Sequence, residues 1–577
     1  MLAGKLLSGR SEMPQPSQPT PGNRSVLLIV LGLIAAIVVA FSGAAHCDFV
    51  YLDDPAFVFE NPTVRGGLTG AGIVRAFTDT HASLWVPLTT LSFMADVSIF
   101  GMNPQAMHLE NMLWHAATTA LLFLALRRLT GRLWPSALVA AFFGLHPVNV
   151  ESVAWIVERK NVLCGFFFML ALWAWGGWAR HRRAGAWWGA LAAFAAALLA
   201  KPVAVTFPCV LFLLDAWPLR RWGQLPWGRL LLEKLPFFAL SAATSFLATR
   251  ATQLHHTVVS FESLPLAVRI SNGLCSYGAY LRDLVWPEKL AVIYPHPGVV
   301  QWAPALAILG GMLVLTGLAI WQWRRRPYLL IGWLIFIGML MPNLGLVQVG
   351  WQARADRFLY FAEIGIFIAL VWLADSLLPS SRQLRVALAF VPLGALSVAT
   401  FSQVSKWEDS ITLFQHTIAV TKDNPMAVEH LADSFMRSGN PAMAAQTLEA
   451  LLAHYPDNAE NWSSLGVAHI HSGQVKLAAR DYQNAVALDA QDPIAHYNLA
   501  VALVASGENA PAETAFRETL ALRAEMPQAL LQYGLLLEKL GRLDEAIEKV
   551  SEAHRLEPAS ETITTTLNRL TAAKRGA

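Results

Sequence analysis

The chain has 577 residues, of which 55% are hydrophobic and 14% charged, with 21 Trp and a mean hydropathy of +0.42. This excludes a soluble globular protein and points to a polytopic membrane protein. The net charge of +3 is small and the arginines sit in short clusters, so nothing points to nucleic acid.

Residues 1–24, with Pro14, Pro16, Pro19 and Pro21 among Ser and Gln, read as a disordered cytoplasmic tail. The first long apolar run extends from Ser25 to Ala45. The small residues around Ser42-Gly43-Ala44-Ala45 would also suit a secretory signal, but a run of about 20 residues favours an uncleaved anchor. Just beyond it, in Tyr51-Leu52-Asp53-Asp54-Pro55, two adjacent carboxylates fall at a membrane face. Charges so close to hydrocarbon are costly unless they meet water, a partner or a substrate. The plain alternative is a solvated loop turning at Asp54-Pro55.

Further spans are expected near 105–126, 133–146, 161–179, 186–200, 203–219, 231–248, 266–286, 303–323, 328–342, 358–376 and 385–402, about twelve with the first. The positive-inside rule assigns Arg127-Arg128, Arg180 to Arg183 and Arg324 to Arg326 to the cytoplasm and leaves the loop 46–104 extracytoplasmic. Twelve alternating crossings would return the end of the last span to the cytoplasm, whereas counting back from Arg324 puts it outside. An odd number of crossings is therefore expected, with one run between 200 and 300, near Lys201-Pro202 or His255-His256, re-entrant, split or interfacial. Cys164, Cys209 and Cys275 lie in apolar stretches and Cys47 near a membrane face, a pattern that implies neither a disulfide framework nor a zinc site.

Beyond Phe401 the pattern becomes one of short amphipathic helices with a fixed period. Gly439, Gly473, Gly507 and Gly541 are 34 residues apart. Ala444, Ala478, Ala512 and Ala546 share that spacing, and Leu431, Leu465, Leu499 and Tyr533 hold one phase. This is the tetratricopeptide pattern: Gly at the turn between paired helices, small Ala where they pack, and larger apolar residues in the stacked core. The repeats are expected over 425–577, behind a capping or linking stretch, 403–424, that includes the amphipathic run from Trp407 to Val420.

Chemistry must then come from the membrane part, residues 25–402, where three motifs stand out. The first runs from Tyr51 to His115 and contains Asp53, Asp54, Glu60-Asn61-Pro62, Trp85-Val86-Pro87-Leu88, and the set His108, Asn111 and His115. That set falls at i, i+3 and i+7, on one face of a helix. The face either looks into a polar cavity or forms an interhelical hydrogen-bond seam. The second motif is His146-Pro147-Val148-Asn149-Val150-Glu151, continuing through Trp155 to Glu158-Arg159-Lys160. The third is Trp351-Gln352-Ala353-Arg354-Ala355-Asp356-Arg357-Phe358-Leu359-Tyr360. Guanidinium groups at an interface suit a lipid phosphate through bidentate, permanently charged donors, or they anchor by snorkelling.

These motifs, in this order and ahead of tetratricopeptide repeats, resemble the transmembrane and tetratricopeptide-repeat-containing O-mannosyltransferases and their bacterial relatives. The resemblance rests on Asp53-Asp54, Asn61-Pro62, Pro87-Leu88-Thr89, His108 with Asn111 and His115, His146-Pro147 with Glu151 and Arg159, and Arg357 with Tyr360. It implies an all-α architecture, a GT-C-like membrane bundle followed by an α-solenoid, in a multi-pass protein of a bacterial inner membrane with its first loop and repeats extracytoplasmic. It also implies a polyprenyl-phosphate sugar donor and a catalytic acid residue in the first loop. Eukaryotic members carry an Asn-Asp-Phe-Trp-Gly segment in that loop. Here the place reads Thr78-Asp79-Thr80-His81, which leaves the sugar open.

Transfer of a sugar to a hydroxyl needs a base near the acceptor proton and stabilisation of the departing phosphate. Asp53 or Asp54 is expected as base. Arg357, Arg354, Arg159 and Lys160 are expected on the phosphate, and Glu151, His108, Asn111 and His146 are expected to position sugar or acceptor. A single displacement inverts the anomeric centre. A monophosphate leaving group flanked by arginines requires no metal and no cofactor beyond the lipid-linked donor. The repeats would bind an acceptor protein or peptide, and the spans membrane lipids. Two other classes fit less well: a non-catalytic membrane-anchored scaffold for protein assembly or secretion, and an oligosaccharide ligase acting on a lipid diphosphate with a divalent ion.

Overall fold

The computed structural model describes residues 23–80, 84–254, 259–348, 350–378 and 381–576. The expected tail up to residue 22 and the His255-His256 segment lie outside the described residues. The chain is 78% helical and has no strand among the described residues. Two compact units form, Met1–Leu413 and Phe414–Ala577.

In the first unit six helices among the described residues are long and apolar enough to cross a membrane: Asn23–Ala40, Pro104–Thr130, Ile156–His181, Trp302–Trp321, Asp356–Leu377 and Gln383–Trp407. The pair Leu133–Leu145 and Pro147–Ala154, bent by 51° at His146-Pro147, makes a seventh if taken as one broken span. This is a multi-pass membrane protein. The other runs expected from the sequence do not meet both conditions. The helix Leu266–Val285 carries Arg269, Arg282 and Asp283, so its stripe is amphipathic rather than apolar. Ala184–Ala200, Phe207–Ala216 and Pro327–Leu340 are short of the roughly 20 residues a hydrocarbon core demands. A bent pair of this kind is present at 133–154 among the described residues.

Burial separates a centre from a periphery. The windows of Pro104–Thr130, Ile156–His181 and Asp356–Leu377 are 61%, 67% and 67% buried, against 17% for Asn23–Ala40 and 11% for Trp302–Trp321, whose Leu313, Val314 and Trp321 face outward. The central three can approach closely because Gly165 carries no side chain. A Cβ there would meet Tyr360 at 2.8 Å and Thr118 at 3.1 Å, a small-residue contact that lets membrane helices interlock.

The loop 46–104 is itself helical in pieces: Pro62–Arg65, Gly70–Thr78 and Pro87–Phe100. Asn61 caps the first, its carboxamide oxygen accepting from the amides of Thr63 at 2.9 Å and Val64 at 3.4 Å, with Pro62 at the first helical position. The Glu60-Asn61-Pro62 motif is thus a helix start.

The second unit contains four helix pairs, from Pro425–Arg437 with Pro441–Leu452 to Pro527–Lys539 with Leu543–Leu556, and a final helix Glu561–Gly576. Gly439, Gly473, Gly507 and Gly541 all have φ between 74° and 87° at the turn between paired helices, a conformation that only Gly adopts without strain. Ala444, Ala478, Ala512 and Ala546 have no exposed surface, and Leu431, Leu465, Leu499 and Tyr533 are buried.

Candidate functional site at the first loop

Asp54 is fully buried. Its carboxylate accepts from the amides of Val50 at 2.8 Å and Val157 at 3.2 Å, so it pins the first loop to the turn Ile156–Glu158. Burial pushes its pKa up to about 7 against the lowering effect of those two bonds. Asp53 precedes it, both standing ahead of a wide helical turn, Pro55–Phe59, closed by the Glu60 amide on the Pro55 carbonyl at 2.9 Å. Asp53 is half-buried, and among the described residues its side chain has no hydrogen-bond or ion-pair partner. The adjacent carboxylates therefore have different surroundings. The loop is also held at Asp48, whose amide donates to the Glu408 carbonyl at 2.9 Å, and at Tyr51, whose amide donates to the Ser410 hydroxyl at 2.9 Å.

Beside this loop lies a cluster of ions. Glu158, fully buried, meets Lys160 and Lys201 at 3.0 Å each and the Arg357 Nε at 3.6 Å. Glu151 accepts from the Arg357 amide at 2.7 Å and pairs with its guanidinium. Lys201 also donates to Asn161 at 2.8 Å. Aromatic faces line the cations: Trp155 is 5.3 Å from the Arg357 guanidinium, and Phe57 of the first loop is 5.1 Å from the Lys160 ammonium. Asp53 acts electrostatically on Arg357, as Lys160 does on Asp54. Glu151 and Glu158 offset two of the three cations, and Asp53 is a third acid whose charge acts on Arg357.

The other expected residues are engaged elsewhere. Arg159 has no exposed surface: it pairs with Asp96 at 3.0 Å and Glu110 at 2.8 Å, donates to the Met107 carbonyl at 2.9 Å and bonds Asn111. It has no face left for a phosphate. Arg354 is held by Asp283 at 2.6 Å, lies 3.7 Å from Asp356 and stacks over the Tyr294 ring at 3.5 Å. Both arginines are held in buried ion pairs, which a charge in a membrane bundle requires. His108 meets the Asp48 carbonyl at 3.3 Å, Asn111 donates to the Trp155 carbonyl at 3.1 Å, and His115 bridges the Tyr360 hydroxyl at 3.0 Å and the Gly144 carbonyl at 3.2 Å. This face is an interhelical seam. His146 sits between the Leu284 carbonyl, 3.1 Å from Nε2, and the Val148 amide, 3.3 Å from Nδ1. His108, Asn111 and His146 thus contact backbone groups, and Glu151 holds Arg357.

Sequence reasoning missed Lys201 and gave Glu158 no role. Lys201-Pro202 was visible as an interruption of an apolar run, and a lysine retained there is a signal in itself. Among the described residues no group of three or more His, Cys, Asp or Glu is set to hold a metal ion, and all four cysteines are free.

Comparison with known proteins adds to this picture. Residues 87–243 match the family model described as dolichyl-phosphate-mannose-protein mannosyltransferase. Residues 430–493 and 497–561 match tetratricopeptide repeats. The human protein O-mannosyl-transferase TMTC3 aligns over 93% of this chain and 64% of its own length at 22% identity. The chain is thus similar along most of its length to a protein O-mannosyl-transferase. The mouse protein O-mannosyl-transferase TMTC2 is 38% identical over 101 residues, 18% of this chain and 12% of its own. Tmtc1 of Drosophila melanogaster is 29% identical over 33% of this chain and 23% of its own. In each case the aligned part is less than two thirds of the relative. The matched mannosyltransferase segment contains Glu151, Glu158, Lys160 and Lys201 but neither Asp53 nor Arg357.

Proposed function

We propose that the protein is a membrane glycosyltransferase that moves a sugar, mannose by analogy with its relatives, from a polyprenyl-phosphate carrier to a protein hydroxyl on the extracytoplasmic side. The observation that carries this reading is that the first loop lies against the cationic cluster of Arg357, Lys160 and Lys201: Asp54 bonds the Val157 amide at 3.2 Å, Phe57 lies 5.1 Å from the Lys160 ammonium, and among the described residues the Asp53 side chain has no hydrogen bond or ion pair. The cluster holds the donor phosphate. Asp53 removes the acceptor hydroxyl proton, the oxygen attacks the anomeric carbon from the face opposite the phosphate, and the carbon–oxygen bond to phosphate breaks with its electron pair leaving on the carrier. The anomeric centre inverts. The leaving group departs as an anion already neutralised by its neighbours, so it needs no proton. Asp54 and Glu151 act as positioning residues, the first for the loop and the second for Arg357.

In this reading the N-terminus is cytoplasmic, and an odd number of crossings puts the first loop and the repeats on the opposite side. The repeats present the acceptor. Residues 25–402 form the transferase domain, 403–424 the link and 425–577 the array. The test is a transfer assay with purified protein and a panel of polyprenyl-phosphate sugars, comparing wild type with Asp53→Asn and Asp54→Asn. Turnover by Asp53→Asn equal to wild type ends the proposal and favours an anchored scaffold.

A further inference from the structure

The helix Arg159–His181 carries ions at both ends. Its first residue lies in the network beside the first loop. Its last turn, about 30 Å away at 1.5 Å per residue, carries Arg180, and Arg182 follows at its cap. There, against the turn after Trp217-Pro218, is a cavity of about 320 Å³ lined by Arg180, Arg182, Pro218, Leu219, Arg221 and Gln224 among others. The volume falls within the range of about 300–1,000 Å³ typical of small-ligand sites.

The lining contains three arginines and no carboxylate. Behind it stand Asp215, which pairs with Arg221 at 2.8 Å and with Lys234, and Glu233, which pairs with Arg182 and Arg221 and lies 3.7 Å from Arg229. Two acids thus face four cations of this network, and Arg180 adds a fifth whose described polar contact is a carbonyl, that of Leu129 at 2.6 Å. Arg221 is nine-tenths or more buried and lines the cavity, yet its Nε has no hydrogen-bond partner. A buried guanidinium nitrogen without an acceptor is costly, and it leaves Arg221 short of one bond beside the cavity. Indole rings surround the site: Trp222 lies 5.3 Å from Trp227 and 6.2 Å from Trp323, and Trp217 lies 5.3 Å from Trp372. Such a belt marks headgroup depth in a bilayer, and basic pockets between spans at that depth recognise phosphate headgroups.

We propose that this cavity binds a phosphate-bearing anion, either a lipid headgroup or free phosphate, at the membrane face opposite the first loop. The site does not depend on the transferase reading. Full-length protein in neutral detergent would be titrated with phosphatidylglycerol, with diacylglycerol as the control lacking phosphate, and bound lipid counted by native mass spectrometry. A parallel arm titrates inorganic phosphate by calorimetry. Wild type should retain phosphatidylglycerol over diacylglycerol, and Arg180→Gln should weaken that binding about tenfold, the loss of one charge-assisted bond. Arg180→Lys should fall between. If Arg180→Gln fails to fold, Gln224→Glu, which places a carboxylate on an exposed turn, should weaken binding as well. Binding of inorganic phosphate with the same sensitivity, and no preference for phosphatidylglycerol, assigns the ligand as free phosphate. Equal affinities for wild type and the folded variants in both arms overturn the proposal.

Discussion

The first loop with its ion cluster and the repeat array are both helical, yet they are built on opposite principles. In the array each contact is made with the next helix or the one after, and one phase of Gly, Ala and Leu recurs four times. Around Asp53, contacts join residues 54 to 157, 151 to 357 and 158 to 201. Stability in the array is a sum of similar local terms. At the cluster it depends on matched buried charges, where losing one partner strands the other. The two regions should therefore answer mutation differently: the array loses a little stability per change, and the cluster loses function or fold outright.

The largest effect expected is on Asp53. Its change to Asn should lower transfer by a factor on the order of 10²–10⁴, the usual range for removing a general base, with the melting temperature unchanged because the carboxylate has no partner to strand. An Asp53→Asn protein that melts well below wild type would mean that the residue is structural, like its neighbour.

Arg357→Gln should be worse for the fold than for any single contact, costing about 3–5 kcal/mol because Glu151 and Glu158 lose a shared cation. Arg357→Lys should restore part of the stability but less of the donor affinity, since a point charge replaces a fork. Thermal unfolding in detergent beside donor titration separates these two losses, and equal recovery of both would argue against a phosphate contact.

Asp54 gives the comparison a pH signature. Its pKa is raised on folding, from 3.8 to about 7, so its contribution to stability is complete below about pH 4 and is lost as pH rises through 7. Asp54→Asn should remove this part of the pH dependence: the difference in melting temperature between wild type and variant should move in the variant's favour from pH 4.5 to pH 8. A constant difference would show that the buried carboxyl does not titrate there.

In the array the expected effects are smaller. Gly473→Ala, at φ 74°, should cost about 1 kcal/mol and leave transfer to a short acceptor peptide intact. Removal of 425–577 should abolish modification of a protein acceptor while sparing donor binding. Chelation of divalent ions should change turnover least of all; its loss on chelation would favour the lipid-diphosphate ligase instead.

Much of this molecule can be read from its residues alone. The repeat array is legible because a 34-residue period leaves the same side chains at the same depth in every copy, and the membrane character is legible because hydropathy sums over many residues. Asp53-Asp54 and Arg357 stand out as charges at the edges of apolar runs. Periodicity did not reveal which runs are long enough to span, because the helix Leu266–Val285 buries Arg269 and Asp283 inside an apolar run and the helix Pro87–Phe100 looked like part of a loop. Nor could spacing tell Arg159 and Arg354, which are spent on internal carboxylates, from Arg357 beside the first loop, or separate the roles of two adjacent aspartates. Those distinctions depend on partners dozens to hundreds of residues away. Local chemistry sets what a side chain can do, and only the packed chain decides what it is left free to do.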